Sequence, residues 1–316
     1  MTLVSPADLD RACADVAGRV VRTPLLPVPG TGHSFWLKPE NLQTTGAFKI
    51  RGAHHRIASM TDAERARGVV THSSGNHAQA VSWSARAFGT SAVVVMPDTA
   101  TRVKVDATRA LGARVLTTAP ELYRDRAYEL AAEHGYTLIP PFDDPHVIAG
   151  QGTVGREILE DLPGDLTVLV PVGGGGLVSG VAAAVKQSRP GSRVVGVEPA
   201  LAGDAAESVR TGRLSRWTAD RTGRTVADGL RTPSLGRLNW EHVRAYVDDV
   251  ITVTEEEIRA SARFLAARAH LVAEASGAVA TAGHLFHGDR LPPELPRVAV
   301  VSGGNADPDW LAALWN

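Results

Sequence analysis

Short runs of apolar residues recur along the chain from residue 68 onward and alternate with segments of helical period. The runs lie at residues 69–71, 92–96, 114–117, 137–139, 168–172, 194–197, 250–253 and 298–301. Between most of them apolar positions repeat every three or four residues, as in residues 99–111 and 120–134, which predicts amphipathic helices. This alternation predicts an α/β fold in which parallel, twisted sheets carry helices on both faces.

Composition narrows the class of protein. The chain has 316 residues, of which 33 are basic and 34 acidic, and a formal net charge of −1. At roughly 150 residues per domain this length predicts two domains, and the balanced charge gives no reason to expect a nucleic-acid partner. Cys13 is the only cysteine, which excludes a disulfide framework, a CxxC redox pair and a thiolate metal cluster.

One uncharged stretch is long enough to cross a bilayer. Residues 166–185 carry no charged side chain, and about 20 apolar residues suffice for a membrane span. Pro171 and the glycines at 173–176 lie at its centre, where they would disrupt a membrane helix, so we interpret it as strand, loop and helix. Because the N-terminus has no signal-peptide pattern either, we expect a cytoplasmic protein without a membrane partner.

Three loops follow predicted strands, the positions where α/β proteins bind ligands. The loop SSGNH at 73–77 could offer backbone N–H groups to a carboxylate or phosphate, although an ordinary helix cap would use the same residues. The loop PVGGGGL at 171–177 fits neither GxGxxG nor a P-loop, and its four glycines suit close approach to a phosphate. The loop SGGN at 302–305 is by itself more typical of a turn.

Lysine is rare in this chain, so amine chemistry has few candidates. Lys104 and Lys186 fall in helical segments with polar neighbours, and we expect them at the solvated surface. Lys49 lies between Phe48 and Ile50, where partial burial would lower its pKa and favour the neutral, nucleophilic amine. Such an amine can form a Schiff base with an aldehyde cofactor, and together with the two loops it suits pyridoxal phosphate and an amino-acid substrate.

Six segments, spread in order over nearly the whole chain, carry a family resemblance. They are KPENLQ at 38–43, GAFKIRG at 46–52, SSGNHAQ at 73–79, VIAGQGT at 147–153, PVGGGG at 171–176 and SGGN at 302–305. They resemble the pyridoxal-phosphate enzymes of the tryptophan-synthase β-like fold (fold type II), in particular the serine/threonine dehydratase and serine racemase group. The resemblance implies a homodimer with a small domain, residues 68–144, that closes over substrate, and a large cofactor-binding domain of residues 1–67 and 145–316.

The resemblance also implies roles around the cofactor. Lys49 would be the Schiff-base lysine, Phe48 would cover one side of the ring, Asn76 would bind the ring hydroxyl, and Ser302 would face the pyridine nitrogen. The phosphate would be held by backbone N–H groups of Gly173, Gly174, Gly175, Gly176 and Leu177. A neutral hydroxyl at the pyridine nitrogen makes the ring a weaker electron sink, which disfavours transamination and suits β-elimination.

The substrate carboxylate would be bound, by the same resemblance, at Ser73, Ser74, Asn76 and His77. Ser74 has a further implication, because the racemases carry a serine there opposite the lysine, whereas many threonine dehydratases carry alanine. Elimination needs only Lys49, but inversion at Cα needs a second group on the other face. Ser74 therefore permits racemisation without requiring it.

A metal site is implied at the segment EPALAGD. In the resembling group a divalent cation would be held by Glu198, the carbonyl oxygen of Ala202, and Asp204. Two carboxylates and a carbonyl suit a hard ion such as Mg²⁺ or Ca²⁺. From the residues alone, a turn at a strand end is the alternative.

These features predict pyridoxal-phosphate-dependent dehydration and deamination of L-serine or L-threonine to a 2-oxo acid and ammonia. The alternatives are a serine racemase with side dehydratase activity and a 3-hydroxyaspartate dehydratase, which would need an extra cation for the β-carboxylate. A non-catalytic homologue would be expected to lack Lys49 or the loop at 73–77, and both are present.

Overall fold

The computed structural model describes residues 2–30, 32–73, 75–100 and 102–315. Within these ranges the strands are β1 Leu26–Pro27, β2 Phe35–Pro39, β3 Val69–His72, β4 Ala92–Pro97, β5 Arg114–Thr118, β6 Thr137–Leu138, β7 Thr167–Pro171, β8 Arg193–Pro199, β9 Asp249–Val253 and β10 Arg297–Val301. The helices are α1 Pro6–Val16, α2 Lys49–Ala58, α3 Asp62–Arg67, α4 Asn76–Ala87, α5 Arg102–Ala110, α6 Tyr123–His134, α7 Pro145–Asp161, α8 Gly176–Ser188, α9 Asp204–Thr211, α10 Ala219–Thr222, α11 Arg237–Tyr246, α12 Glu255–Arg268, α13 Ala275–Phe286 and α14 Pro308–Ala313. None of these helices is long and apolar enough to span a membrane.

The strands form two sheets. The larger has the order β1-β2-β10-β7-β8-β9 and is parallel except for β1, which pairs antiparallel with β2. The smaller has the order β5-β4-β3-β6 and is parallel throughout. The predicted α/β class is confirmed, and each of the strands expected from the apolar runs is present within a residue or two of its expected bounds.

Successive residues of the central strands β4, β7 and β10 face opposite cores, which is why these strands read as continuous apolar runs. In the larger sheet Val168 packs with apolar residues of α7 and α8, and its neighbour Leu169 packs with those of α12 and α13. In the smaller sheet Val94 joins a cluster with α2 and α4, whereas Val95 joins α6 on the other face. Helices therefore cover both faces of both sheets.

Strand β2 was not predicted from the sequence, although it lies inside the larger sheet between β1 and β10. Its sequence FWLKP ends in a charged residue and a proline, so no apolar run marks it. Lys38 is nevertheless completely buried, because its amine donates to the carbonyl oxygen of Thr23 at 2.6 Å and to Glu157 at 2.5 Å. Hydrogen-bond partners from distant parts of the chain thus allow a buried lysine in a strand, although the polar sequence pattern is more typical of a loop.

A buried ion network anchors the start of α2. Arg51 is fully buried and donates to Glu40 at 2.7 and 2.8 Å and to Glu157 at 2.6 and 2.8 Å. Glu40 also accepts the hydroxyl of Thr23 at 2.6 Å, and Lys38 completes the pairing of Glu157. Two cations therefore balance two anions, and the network ties α2 to α7 and to the end of β2.

Glycines of the VIAGQGT segment set the spacing of α7 against two other helices. A Cβ on Gly150 would lie 2.6 Å from the Cα of Gly52 in α2, and a Cβ on Gly180 in α8 would lie 2.5 Å from the backbone nitrogen of Gly152. Side chains at these positions would push the helices apart, because only glycine allows backbones to approach this closely. The segment therefore holds the helix that begins at Lys49 and the helix that begins at Gly176 close to a common neighbour.

We predict that Arg51→Met lowers the free energy of unfolding by about 3–5 kcal/mol, because it leaves the buried Glu40 carboxylate without its ion-pair partner and Glu157 with Lys38 alone. Chemical or thermal unfolding measures the loss. Arg22→Met is the matched control, since Arg22 pairs with Glu160 and Asp161 at the surface and exposed pairs contribute about 0–1 kcal/mol. Equal losses in the two variants would contradict the prediction.

Candidate active site

A cavity of about 1130 Å³ lies where the carboxyl ends of β3, β7 and β10 lead into loops. Its lining includes Lys49, the Ser73 loop, the glycine loop and Ser302. Within each sheet, parallel strands deliver their following loops to one edge. The cavity lies where this edge of the larger sheet, with the loops after β7 and β10, meets the loop after β3 of the smaller sheet. All three loops singled out from the sequence, and the lysine, therefore border one space.

Lys49 is the first residue of α2 and points its amine into this cavity. Its Nζ donates to the carbonyl oxygen of Pro141 at 2.7 Å and lies 5.2 Å from the centre of the Phe48 ring. Burial lowers the pKa of Lys49 to about 8. No described carboxylate forms an ion pair with it, so a substantial part of the amine is neutral near pH 8, as partial burial led us to expect.

The glycine loop presents a bare helix terminus to the cavity. Helix α8 begins at Gly176 without a side-chain cap, and Gly175 has φ +94°, a left-handed conformation that favours glycine. The hydroxyl of Thr232, buried and without a described hydrogen-bond partner, lies 3.1 Å from where a Cβ on Gly173 would be. Free N–H groups, the helix dipole and an unpaired hydroxyl form a fitting cradle for a phosphate.

Asn76, the first residue of α4, is held by two polar side chains. Its Nδ2 donates to Glu274 Oε1 at 2.6 Å, and its Oδ1 accepts from Asn305 Nδ2 at 2.8 Å. Asn305 Nδ2 also donates to the carbonyl oxygen of Thr45 at 2.8 Å. Burial, with the charge of Asp228, raises the pKa of Glu274 to about 7. Glu274 could not be singled out from the sequence, since a glutamate before a helix carries no distinguishing signal.

Ser302 directly follows β10 and is buried at the cavity wall. Its hydroxyl donates to the carbonyl oxygen of Ser276 at 3.4 Å, a long and weak hydrogen bond. Ser276 Oγ in turn accepts the N–H of Gly229 at 2.9 Å. The Ser302 hydroxyl is therefore only loosely engaged and can turn toward a ring nitrogen.

The SSGNH loop offers fewer side-chain donors than its sequence suggests. His77 is buried, its Nε2 donates to the carbonyl oxygen of Ile139 at 3.0 Å, and burial lowers the pKa of His77 to about 3. A neutral ring that donates through Nε2 has only an acceptor at Nδ1, so its side chain cannot bind a carboxylate. Ser73 Oγ accepts the N–H of Gly75 at 3.2 Å. Ser74 lies outside the described residues.

Residues 140–144, which follow the predicted strand at 137–139 and precede α7, were not singled out from the sequence either. Besides the Pro141 carbonyl, they provide Phe142, whose ring would collide with a Cβ at Gly174. Asp143 accepts the first N–H groups of α11, from Arg237 at 3.1 Å and Leu238 at 2.9 Å. This segment therefore links the smaller sheet to the glycine loop.

Lys104 and Lys186 are less solvated than we expected. Lys104 lines the cavity and forms an ion pair of 2.9 Å with Asp228, and Lys186 donates to Asp248 at 3.1 Å. The helical pattern identified their polar neighbours but not the acidic partners that tertiary packing supplies.

Glu198 and Asp204 form a pair of buried carboxyl groups away from the cavity lining. Glu198 accepts the N–H groups of Ala205 at 3.2 Å and Ala206 at 2.6 Å, and Asp204 Oδ2 has no described hydrogen-bond partner. Burial raises the pKa of Glu198 well above its usual range and that of Asp204 to about 7. No group of three or more His, Cys, Asp or Glu side chains in the described chain could hold a metal, but this pair with the buried Ala202 backbone has the donor chemistry of a hard cation.

Comparison with known proteins agrees with this geometry. Residues 16–303 match the family described as pyridoxal-phosphate dependent enzyme. The chain belongs to this family. It is 45% identical over 291 residues to an L-threonine ammonia-lyase of Thermotoga maritima, in an alignment that covers 90% of this chain and 71% of the relative.

Solved structures of the same group align over almost the full chain. A threonine deaminase of T.th. superposes with a TM-score of 0.90 at 42% identity, covering 96% of this chain and 99% of the other. A maize serine racemase superposes with a TM-score of 0.91 at 36% identity, covering 99% and 96%. The fold of this pyridoxal-phosphate dependent enzyme is thus shared with both dehydratases and racemases.

The site fits the cofactor of its family. An aldehyde needs a neutral amine, which Lys49 can supply with its pKa near 8, and a phosphate needs N–H donors, which the start of α8 can supply. Both border one cavity, with the Asn76 amide and the Ser302 hydroxyl on its wall. The chain therefore provides a partner for each polar part of pyridoxal phosphate.

Proposed function

We propose that this enzyme is an ammonia-lyase that dehydrates L-threonine or L-serine and releases a 2-oxo acid and ammonia. The observation that carries the proposal is Lys49, a buried amine of lowered pKa that borders the same cavity as two uncapped helix termini, those of α4 and α8. One terminus suits the phosphate of the cofactor and the other suits the carboxylate of an amino acid. The names of the threonine ammonia-lyase and threonine deaminase relatives support the same substrate class.

Bound pyridoxal phosphate would supply a reactive aldehyde and an electron sink for a carbanion at Cα. Lys49 would attach it, Phe48 would lie against its ring, and the N–H groups of the glycine loop would hold its phosphate. Asn76 would donate to the ring hydroxyl, and Ser302 would face the pyridine nitrogen. A hydroxyl at that nitrogen does not keep it protonated, which favours β-elimination.

The chain's own groups would bind the substrate and move its proton. The backbone N–H groups at the start of α4 would bind the carboxylate, with the Ser73 hydroxyl beside them and His77 contributing through its backbone. Lys49 Nζ, kept partly neutral by burial, would accept the α-proton. Its present acceptor, the carbonyl oxygen of Pro141, can then take a hydrogen bond from the protonated amine.

Water exclusion would come from the smaller sheet. We propose that residues 68–144 form a small domain that closes over the substrate, with the rest of the chain as the large domain. The ion pair of Lys104 with Asp228 would join the two domains at the cavity, because Lys104 belongs to α5 in the small domain and Asp228 to the large domain. Closure would protect reactive intermediates from water.

Replacing Lys49 tests the proposed reaction. The purified holoenzyme should be yellow and should convert L-threonine or L-serine to 2-oxo acid, and borohydride should fix the cofactor to the peptide that contains Lys49. Lys49→Ala should lose this fixation and reduce turnover by more than about a hundredfold, because it removes both the anchor and the base.

The control for this experiment is Lys186→Gln, since Lys186 lies outside the cavity lining. It should keep colour and turnover. Near wild-type elimination by Lys49→Ala, or no 2-oxo acid from the wild type with either substrate, would refute the proposed function.

Serine racemisation is the second candidate, and the identity of residue 74 favours it. The serine racemases that the sequence resembles carry a serine opposite the lysine, and this chain has Ser74 at the matching position of the motif. The maize serine racemase that superposes on the chain supports the comparison. We therefore propose dehydration as the main activity, with measurable racemisation of serine beside it.

Ser74→Ala separates the two activities. It should abolish formation of D-serine from L-serine and spare dehydration of L-serine within roughly tenfold, about 1.4 kcal/mol of barrier. Chiral chromatography and a 2-oxo acid assay measure the two products separately. A wild type that makes no D-serine would exclude the racemase, and a large loss of dehydration in the variant would place Ser74 in substrate binding instead.

We also propose that Glu198, the Ala202 carbonyl and Asp204 hold Mg²⁺ or Ca²⁺. The support is two buried carboxyl groups without a described cationic partner, together with the family resemblance. The Asp204 carboxyl group accepts a hydrogen bond from the backbone of Leu235, whose side chain lies against Gly175. A cation here would order the phosphate loop rather than contact substrate.

Removing the cation should weaken the folded state. A chelator should lower the melting temperature and activity, and added Mg²⁺ or Ca²⁺ should restore them, because a ligand of the folded state alone stabilises it. Glu198→Gln should copy the stripped protein and no longer respond to chelator. If chelator does not affect the wild type and Glu198→Gln behaves like the wild type, the segment is a turn at a strand end and not a cation site.

A further inference from the structure

Glu274 is a buried carboxyl group at the cavity that the proposed reaction does not use. It precedes α13, only 8% of it is exposed, and its backbone N–H donates to the carbonyl oxygen of Gly303 at 3.2 Å. A Cβ at Gly303 would collide with Glu274 Oε1, so the carboxyl group is enclosed by backbone. Burial of an ionisable group costs free energy unless a polar partner compensates for the lost water. For Glu274 the polar partner is a single side chain.

That side chain is Asn76, whose amide orientation follows from its two partners. Glu274 Oε1 accepts from Asn76 Nδ2 at 2.6 Å, while Asn305 Nδ2 donates to Asn76 Oδ1 at 2.8 Å. A rotated amide would set its oxygen against the carboxylate and its nitrogen against the Asn305 donor, losing both hydrogen bonds. One Nδ2 hydrogen of Asn76 is left over and is available to a ligand in the cavity.

Two charged side chains act on Glu274 from the elements around it. Burial is the largest influence and raises the pKa of Glu274, Asp228 raises it further, and the Asn76 bond and Lys104 lower it, with a result of about 7. Asp228 and Lys104 are themselves paired at 2.9 Å. Glu274 therefore changes charge near neutral pH, and its ionised form binds Asn76 Nδ2 more strongly than its neutral form.

We propose that Glu274 is a positioning residue for the cofactor, and that it acts through Asn76 by holding the free Nδ2 hydrogen toward the ring hydroxyl. The inference depends on the role proposed above for Asn76. Ionisation of Glu274 changes the polarisation of the Asn76 amide, so the charge of a residue that does not itself bind the ring hydroxyl influences that hydrogen bond. The electronic state and the affinity of the cofactor then vary with pH.

The experiment measures the absorption spectrum of the bound cofactor and its dissociation constant between pH values of about 5.5 and 9, a range that brackets the pKa of about 7. Glu274→Gln should remove the part of the wild-type pH dependence that has its midpoint near 7, because the amide still accepts from Asn76 but cannot ionise. At pH values above that midpoint, the affinity of Glu274→Gln for the cofactor should be about tenfold lower than that of the wild type, which is the scale of one charge-assisted hydrogen bond.

Two further variants sharpen the test. Asp228→Asn removes the charge that raises the pKa of Glu274, so it should move the midpoint to lower pH. Glu255→Gln is the matched control, since Glu255 accepts the N–H of Val226 at 2.7 Å outside the cavity lining. Its spectrum and midpoint should equal those of the wild type.

A wild-type midpoint and affinity in Glu274→Gln would overturn the inference. If Glu274→Gln does not fold, the midpoint of Asp228→Asn decides. The inference is overturned if that midpoint does not move to lower pH. Failure of the proposed function looks different, because the wild-type protein would then give no borohydride-stable cofactor on Lys49 or no 2-oxo acid, whatever the state of Glu274.

Discussion

The active site depends on the buried ion network around Arg51. Arg51 follows Lys49 by two residues in α2, and its bonds to Glu40 and Glu157 hold that helix to the large sheet and to α7. A largely buried charge network tolerates little displacement, since separating a pair leaves an ion without its partner in an apolar interior. The position of the Lys49 amine is therefore set by charges that never reach the cavity.

Close packing of helices α2 and α8 against α7 fixes the position of the residues that border the cavity. Gly150 packs against Gly52 in α2, and Gly152 packs against Gly180 in α8, so α7 fixes the helix that begins at Lys49 and the helix that follows the glycine loop against each other. Parallel pairing in the larger sheet then brings the loops after β7 and β10 to one edge, and the loop after β3 of the smaller sheet lines the same cavity. The scaffold is rigid where the chemistry needs fixed distances, and loops supply the polar groups.

Burial shifts Lys49 and Glu274, two of the titratable groups that line the cavity, in opposite directions. It lowers the pKa of Lys49 to about 8 and raises the pKa of Glu274 to about 7, because a low dielectric disfavours either charged form. In the proposed reaction the neutral lysine amine serves as nucleophile and base, and the charge of the glutamate responds to pH near neutrality. One physical effect, desolvation, thus prepares both groups.

Much of this protein could be predicted from sequence, because apolar runs record strands buried on both faces and because glycines mark close backbone approach. The strands after residue 68, the three loops and Lys49 followed from such local patterns, and the family followed from their order. Strand β2, the Pro141 acceptor and Glu274 did not, since their roles arise from partners distant in the chain. His77 shows the same limit, because only its contact with Ile139 reveals that its ring has no donor to spare. The sequence by itself determined which chemical groups are present and which elements carry them; tertiary structure alone decided their protonation and their partners, because both depend on burial and on neighbours that folding brings together.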